Sequence, residues 1–228
     1  MFPANMTSTR PGGDAFRVFS LALRVTGRPC LVVGGGAVAA RKVAALLEAG
    51  ALVEVVAPEL GPELAAQRRA GASWRWMAKP FSGADVAGCL LVIAATDDRQ
   101  VNRRVAEAAR EQRALVNVVD APEDSDFFVP SVLRRGPLHF AVTTSGLAPA
   151  VSARLRRRLE ELFPEVWGDA VALIGRVREE AHDAGLDEAE RRALARELAA
   201  LDIEGLLAEG GLSRVEEAVR SCTSPYLA

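Results

Sequence analysis

A doubly wound α/β sheet of parallel strands, followed by a connecting segment and an α-helical module, is the fold class predicted for this 228-residue chain. Three observations carry that reading. Short apolar runs alternate with helical patterns from Cys30 to Asp120, the order that builds a parallel sheet with helices on both faces. One run, Leu90-Leu91-Val92-Ile93-Ala94-Ala95, holds no polar residue, as a strand buried on both faces requires. The first run leads straight into Gly34-Gly35-Gly36, with a helical pattern behind it.

Taken in order, residues 1–14 are rich in Pro, Gly, Ser and Thr and read as a disordered lead-in. Phe16 to Leu23 alternates apolar residues, which predicts a short edge strand, and Gly27-Arg28 turns into the first central strand, Cys30 to Val33. Gly34-x-Gly36-x-x-Ala39 is then a dinucleotide fingerprint with alanine in third place. Its first glycine permits a tight turn, its second lets backbone approach a pyrophosphate, and its small third residue lets helix and strand pack closely. The helix behind it shows Val38, Val43, Leu46 and Leu47 on one face and Gly50 at its end. Leu52 to Ala57 predicts a second strand stopped by Pro58, Glu63 to Ala70 a helix, and Trp74-Arg75-Trp76 a strand whose tryptophans pack. Asp98 is a fitting N-cap for a helix over Arg99 to Gln112, and Leu115 to Val119 is a further strand ending on Asp120.

The pattern changes after Asp120. Ala121 to Asp126 is turn-like, Phe127-Phe128-Val129 runs into a break at Pro130, and Leu138 to Thr143 is another strand. Thr144-Ser145-Gly146 leads to a helix at about Pro149, in which Val151, Leu155, Leu159 and Leu162 repeat at near-helical spacing before Pro164 closes it. From Glu165 the chain reads as helical, with breaks near Gly185, Asp202 and Gly210-Gly211, and Ser213-x-x-Glu216 predicts a capping box for the last helix. The expected organisation is therefore a nucleotide-binding sheet domain over 15–120, a connecting or dimerising segment over 121–150 and a helical domain over 151–228.

Composition narrows the function classes. A formal charge of −2 is no nucleic-acid footprint, so any basic site must be local. Cys30, Cys89 and Cys222 are odd in number and widely spaced, which reads as two strand residues and a tail residue in a reducing compartment. No apolar run approaches the roughly 20 residues of a membrane span, and no signal-peptide pattern opens the chain, so a cytoplasmic protein with no membrane partner is expected. His139, in an apolar strand, reads as a core residue and His182, among acids, as a surface one. No pair has metal-ligand spacing, so no metal site is expected. There is no nucleophile elbow and no Walker loop.

Three segments fall at the carboxyl ends of the predicted strands: the glycine loop, Thr96-Asp97-Asp98, and Asp120. Ligands of open α/β sheets bind along that edge. Glu59, just beyond the second strand, has two readings, a hydrogen bond to a cofactor ribose or the start of the next helix. No arginine follows that could receive a 2′-phosphate, which favours NAD over NADP. Asp120 is either a turn cap or a general base beside the cofactor. Arg134 and Arg135 precede the strand at 138, and Arg154, Arg156, Arg157 and Arg158 crowd little more than one helical turn. They form either a solvated face or a patch for a polyanionic ligand, which arginine's fork suits.

Four motifs in this order resemble a known family. They are Leu31-Val32-Val33-Gly34-Gly35-Gly36-Ala37-Val38-Ala39-Ala40-Arg41-Lys42; Ala94-Ala95-Thr96-Asp97-Asp98; Asn117-Val118-Val119-Asp120-Ala121-Pro122; and Asp126-Phe127-x-x-Pro130-Ser131. Together, over about Phe16 to Phe163, they look like precorrin-2 dehydrogenase, the dehydrogenase/ferrochelatase part of siroheme synthase. The resemblance implies a Rossmann-like domain, a dimerisation segment and a helical C-terminal domain in a homodimer. It implies NAD-dependent oxidation of precorrin-2 to sirohydrochlorin, with ferrous iron insertion as a further activity of some members. Cofactor contacts carry over to Gly34, Gly36, Ala37, Val38, Pro58, Glu59, Thr96 and Asp97, and the essential aspartate to Asp120. The substrate so implied carries eight carboxylates, which gives Arg134, Arg135, Arg154 and Arg157 a role in binding it, alongside Asn117, Thr144 and Ser145. The methyltransferase domain of fused siroheme synthases is missing, so no methylation is expected. Ala148 stands where relatives often carry serine, and Thr144 where some carry a phosphorylatable one. The competing class is a non-catalytic dinucleotide sensor whose helical tail signals to a partner.

Overall fold

The computed structural model describes residues 17–227 and divides at Val129/Pro130 into two compact units. The lead-in expected over 1–14 lies outside the described residues.

The first unit holds one five-stranded parallel sheet. Its strands are β1 (Pro29–Val33), β2 (Leu52–Val56), β3 (Arg75–Met77), β4 (Leu91–Ala94) and β5 (Leu115–Val118), in the spatial order β3-β2-β1-β4-β5. Helices α1 (Ala37–Glu48), α2 (Pro62–Arg69) and α3 (Arg99–Glu111) connect them. The order reverses between β1 and β4, the switch point at which such sheets bind ligands. Alternation along each strand feeds two cores. Cys30, Val32, Val53, Val55, Leu91 and Ile93 pack with Val43 and Leu64 of α1 and α2. Leu31, Val33, Val92, Ala94, Val116 and Val118 pack with Val105 and Ala109 of α3. Both faces are thus covered, which is why β4 is apolar throughout. Each fully buried valine or leucine contributes on the order of 1.5–3 kcal/mol.

Local signals set the boundaries. Gly50, at φ +77°, ends α1 by donating to Leu47 O, while Ala51 N donates to Leu46 O. Asp98 caps α3 as expected, Oδ1 accepting from Gln100 N at 2.7 Å and Val101 N at 3.2 Å. The edge strand expected over 16–23 does not form in the described part, 17–23. Val18, Phe19, Leu21 and Leu23 are all exposed, so no face is buried to fix a strand register. The cysteines also depart from expectation: Cys30 is in β1, but Cys89 precedes β4 and Cys222 lies in the last helix. All three are free thiols raised in pKa chiefly by burial, Cys30 to about 11, so none is a poised thiolate.

The second unit opens with an antiparallel hairpin, β6 (Ser131–Arg135) and β7 (Leu138–Val142). Sequence reading left β6 out, placing Arg134 and Arg135 ahead of a lone strand. Helix α4 (Pro149–Leu162) follows, and α5 (Val166–Asp183), α6 (Glu188–Ala199), α7 (Ile203–Gly210) and α8 (Leu212–Thr223) gather around Ala170, Val177, Leu194, Leu198, Val215 and Val219. Gly168 of α5 packs on the hairpin turn, where a Cβ would lie 2.6 Å from Arg135 C. Phe140, Phe163 and Trp167 pack in a row, the first pair tilted and the second edge to face, at centroid distances of 4.5 and 5.2 Å.

Two expectations fail in this unit. No capping box forms at Ser213–Glu216, because Gly211 at φ +66° turns the chain and Ser213 is already inside α8; a capping box does form at Asp187 and Glu190. His139 is exposed on β7 rather than buried. On α4, Val151, Leu155 and Leu162 of the apolar repeat are 49%, 48% and 52% exposed among the described residues, while Leu159 is half-buried.

Candidate functional site

The carboxyl edge of the sheet is built by backbone constraints. At the end of β1, Gly34 N donates to Val56 O at 2.9 Å, and Ala95 N donates to Val33 O at 2.8 Å. Gly34 has φ +133°, and a Cβ there would lie 2.2 Å from Ala95 O. A Cβ on Gly35 would lie 2.1 Å from Glu59 O, because Gly61 N donates to Gly35 O at 2.8 Å and draws the loop after β2 onto the glycine loop. Gly36 differs: a Cβ there meets nothing within 4 Å. It is the N-cap of α1 without a side-chain cap, so the first amides of the helix face open space. A helix start of this kind can cradle a phosphate, with the helix dipole behind it. Ala39 is fully buried, the close helix–strand packing that the third fingerprint position requires. Ala37 is exposed and Val38 half-buried in the first turn. The residues present therefore fit a dinucleotide.

Around this loop, Pro58 and Glu59 are exposed beyond β2. Glu59 does not start the next helix, which begins at Pro62 after the N-cap Gly61. Arginines, expected to be absent beyond this strand, are present. Arg68 and Arg69, in the last turn of α2, line the same cavity as Pro58 and Glu59. Sequence spacing hid them because α2 runs back before presenting them.

Beyond β4, Thr96 is held by Asn102, a buried residue that the sequence reading missed. Asn102 Oδ1 accepts from Thr96 Oγ1 at 2.7 Å and Thr96 N at 3.2 Å, and its Nδ2 donates to Thr96 O at 2.9 Å. A polar residue on the apolar face of α3 was the available signal. Asp97 is exposed beside it.

Asp120 follows β5 with φ +60°, a conformation that Asp tolerates better than most residues. It lines a cleft of about 320 Å³ with Thr96, Asp97, Arg99, Asn102 and Arg103. Its side chain makes no capping hydrogen bond among the described residues, so the turn-cap reading has no bond to stand on. Asn117 is buried, and its Nδ2 donates to Phe127 O at 3.0 Å. With Asp126 Oδ2, which accepts from Val116 N, it ties the chain after Asp120 back onto β5.

In the second unit the candidate residues separate into two kinds. Arg135 is largely buried; its Nε donates to Phe163 O at 2.6 Å and its Nη1 reaches Glu165 at 2.8 Å. Arg134 sits beside it on β6. Thr144 Oγ1 accepts from Ala148 N at 3.0 Å and from Ser152 Oγ at 3.3 Å, at the start of α4. Ser145, at φ +52°, donates its N–H to Thr143 Oγ1. Arg156 and Arg158 pair with Glu160 and Glu161 along α4. Arg154 and Arg157 are exposed, with no ion-pair partner among the described residues. The described residues hold no group of three or more His, Cys, Asp or Glu able to hold a metal, and no helix there is long and apolar enough to cross a membrane.

Several known proteins are similar to this chain. A family model described as "Putative NAD(P)-binding" matches residues 21–131, the stretch that contains the parallel sheet. The siroheme synthase of Methylobacillus flagellatus is 42% identical over 205 residues, covering 90% of this chain and 43% of that protein. That of Thioalkalivibrio sulfidiphilus is 46% identical over 161 residues, 71% of this chain and 32% of its own. Siroheme synthase 1 of Cronobacter sakazakii is 47% identical over 152 residues, 67% and 32% respectively. The chain spans less than half the length of these relatives. Among solved structures, SirC, precorrin-2 dehydrogenase, superposes with a TM-score of 0.72 at 25% identity, covering 91% of this chain and 100% of that one.

Proposed function

We propose that this chain, which belongs to the family of precorrin-2 dehydrogenase and the dehydrogenase part of siroheme synthase, oxidises precorrin-2 to sirohydrochlorin with NAD as cofactor. The observation that carries the reading is the unengaged carboxylate of Asp120, one strand over from β4 and two from the glycine loop along the same sheet edge. Bound NAD supplies a two-electron hydride acceptor. Gly34 and Gly36 let backbone approach its pyrophosphate, Ala37 and Val38 present helix-start amides, Glu59 accepts from a ribose hydroxyl, and Thr96 and Asp97 border its nicotinamide half. The oxidation also releases protons, and Asp120 takes one from the macrocycle as general base. Asn102 positions Thr96, and Asn117 holds the segment that follows Asp120. The exposed guanidinium groups of Arg154 and Arg157 bind substrate carboxylates. Arg134, Thr144 and Ser145 belong to the same proposal as substrate contacts, whereas Arg135 acts through the fold.

Ferrous iron, where it is inserted, is a second substrate. The macrocycle supplies its own nitrogen ligands, and the protein's part is again to remove protons. The chain works as a homodimer, with the exposed α4 residues Val151, Leu155 and Leu162 as the covered surface, in a reducing cytoplasm. Sedimentation should give about twice 24.2 kDa, falling to the monomer in Leu155→Glu. Anaerobic incubation with precorrin-2 and NAD tests the activity: NADH should form in step with sirohydrochlorin absorbance. NAD binding without turnover would return the chain to the sensor class.

A further inference from the structure

Residues 17–24 lead toward β1 as an arm without regular structure, every residue of it exposed, and the chain is first buried at Val25. Strand alternation would set Phe19, Leu21 and Leu23 on one face, and Phe19 and Leu21 are 88% and 65% exposed. With Val18 they leave on the order of 400 Å² of apolar surface open, the size that marks an interaction site on a soluble protein. An apolar strand without a sheet is one unmet demand; an open sheet edge is the other. In the five-stranded sheet, Ser125 and Asp126 bond along the outer side of β5, and β3 is only three residues long. The hairpin β6–β7 has two strands, so each is an edge. On its β6 side Arg135 Nη1 donates to Arg134 O at 3.2 Å. Strand β7 makes no backbone hydrogen bond outside the hairpin among the described residues. The hairpin packs on α4 and α5, yet Leu138, Phe140 and Val142 on the covered side of β7 are only half-buried.

We propose that the arm of one copy lies along β7 of a second copy as a third strand, so that two chains exchange arms about a twofold axis. The inference rests on the homodimer reading above and deepens it by naming the segments that meet. Free strand and open edge belong to one sequence, so a second copy supplies both at once. A strand added to an edge satisfies backbone groups along its length while alternate side chains gain cover. Extended, residues 17–24 span about 26 Å, enough to run the length of the five-residue β7. Phe19, Leu21 and Leu23 then continue the face of Leu138, Phe140 and Val142, and that cover fixes the register that the arm lacks alone. Two arms, with the surfaces that receive them, bury about 1,600 Å², the size of a stable interface.

The photo-crosslinker p-benzoylphenylalanine, placed at Phe19 of the full chain, is irradiated in a mixture with isotope-labelled parent. Mass spectrometry should find it joined to the peptide holding Leu138–Val142 of the labelled copy. Phe19→Ser with Leu21→Ser lies at the opposite end of β1 from the glycine loop. It should raise the dimer dissociation constant in sedimentation by roughly tenfold or more, with NAD affinity and circular dichroism kept. If the double variant does not fold, the crosslink alone decides. Crosslinks within one chain only, to another surface of the second copy, or to nothing overturn the proposal, as does a folded double variant that dimerises like the parent. Any of these in a dimeric parent leaves the homodimer reading standing, whereas a parent that sediments as a monomer overturns both.

Discussion

The glycine loop and helix α4 are two of the regions to which the sequence assigns ligands, and they are built on different principles. In the loop, function is written into the backbone: Gly34 and Gly35 each sit where a single added carbon would lie within 2.2 Å of a carbonyl oxygen. On α4, the proposed function is carried by side chains on an exposed face, where two of four arginines are already paired with glutamates and Val151, Leu155 and Leu162 stand exposed among the described residues. A backbone site tolerates almost no substitution and is visible in a short motif. A side-chain site tolerates many, and its meaning depends on what comes to lie against it.

The largest expected effects follow from the loop. Gly34→Ala should cost upward of about 3 kcal/mol, because a backbone oxygen cannot move aside as a flexible side chain can. Thermal melts would record it as a large fall in Tm. Gly36→Ala should fold to within about 1 kcal/mol of the parent, since its Cβ meets nothing and Ala is only a modestly worse N-cap. It should nevertheless weaken NAD binding, because the new methyl group occupies the phosphate cradle. If Gly36→Ala binds NAD normally, the contrast drawn within the loop collapses.

Next in size is a contrast among the arginines of the second unit. Arg135→Gln should destabilise by about 1–3 kcal/mol through the lost bond to Phe163 O, with NAD affinity unchanged. The pair with Glu165 adds little, as that carboxylate is 81% exposed. Arg154→Glu with Arg157→Glu should leave Tm alone and raise KM for precorrin-2, by up to about fivefold per residue, with a weaker salt dependence. An unchanged KM would make α4's arginines a solvated face.

The smallest effect concerns pH. Burial pushes the Cys30 thiol from its ordinary 9.0 up to about 11. A raised folded-state pKa stabilises the fold fully below pH 9, and that contribution is lost as pH rises through 11, because the unfolded chain ionises first. Melts across that window should fall more steeply for the parent than for Cys30→Ala; identical slopes would remove Cys30 from the account.

What was legible follows the same division. The five strands, their helices, the Asp98 cap and the glycine loop could be read because each rests on local periodicity or a local steric demand. Arg68, Arg69 and Asn102 were hidden because a helix and its packing, not chain proximity, bring them to Glu59 and Thr96. Ser213 misled because its capping pattern matches in sequence while Gly211 had already turned the chain. The helical spacing of Val151, Leu155, Leu159 and Leu162 was legible, but periodicity reports amphipathicity and says nothing of which molecule covers the face.

The central claim is that Asp120 is the base of a dehydrogenase rather than a structural turn residue. Asp120→Asn keeps both the shape and the tolerance of positive φ while removing the basicity. Anaerobic turnover of precorrin-2, with NAD binding and thermal melts on the same preparation, should show kcat reduced by about 10²–10⁴-fold, with affinity and Tm preserved. An Asn variant that melts early yet turns over at the parent rate would contradict it.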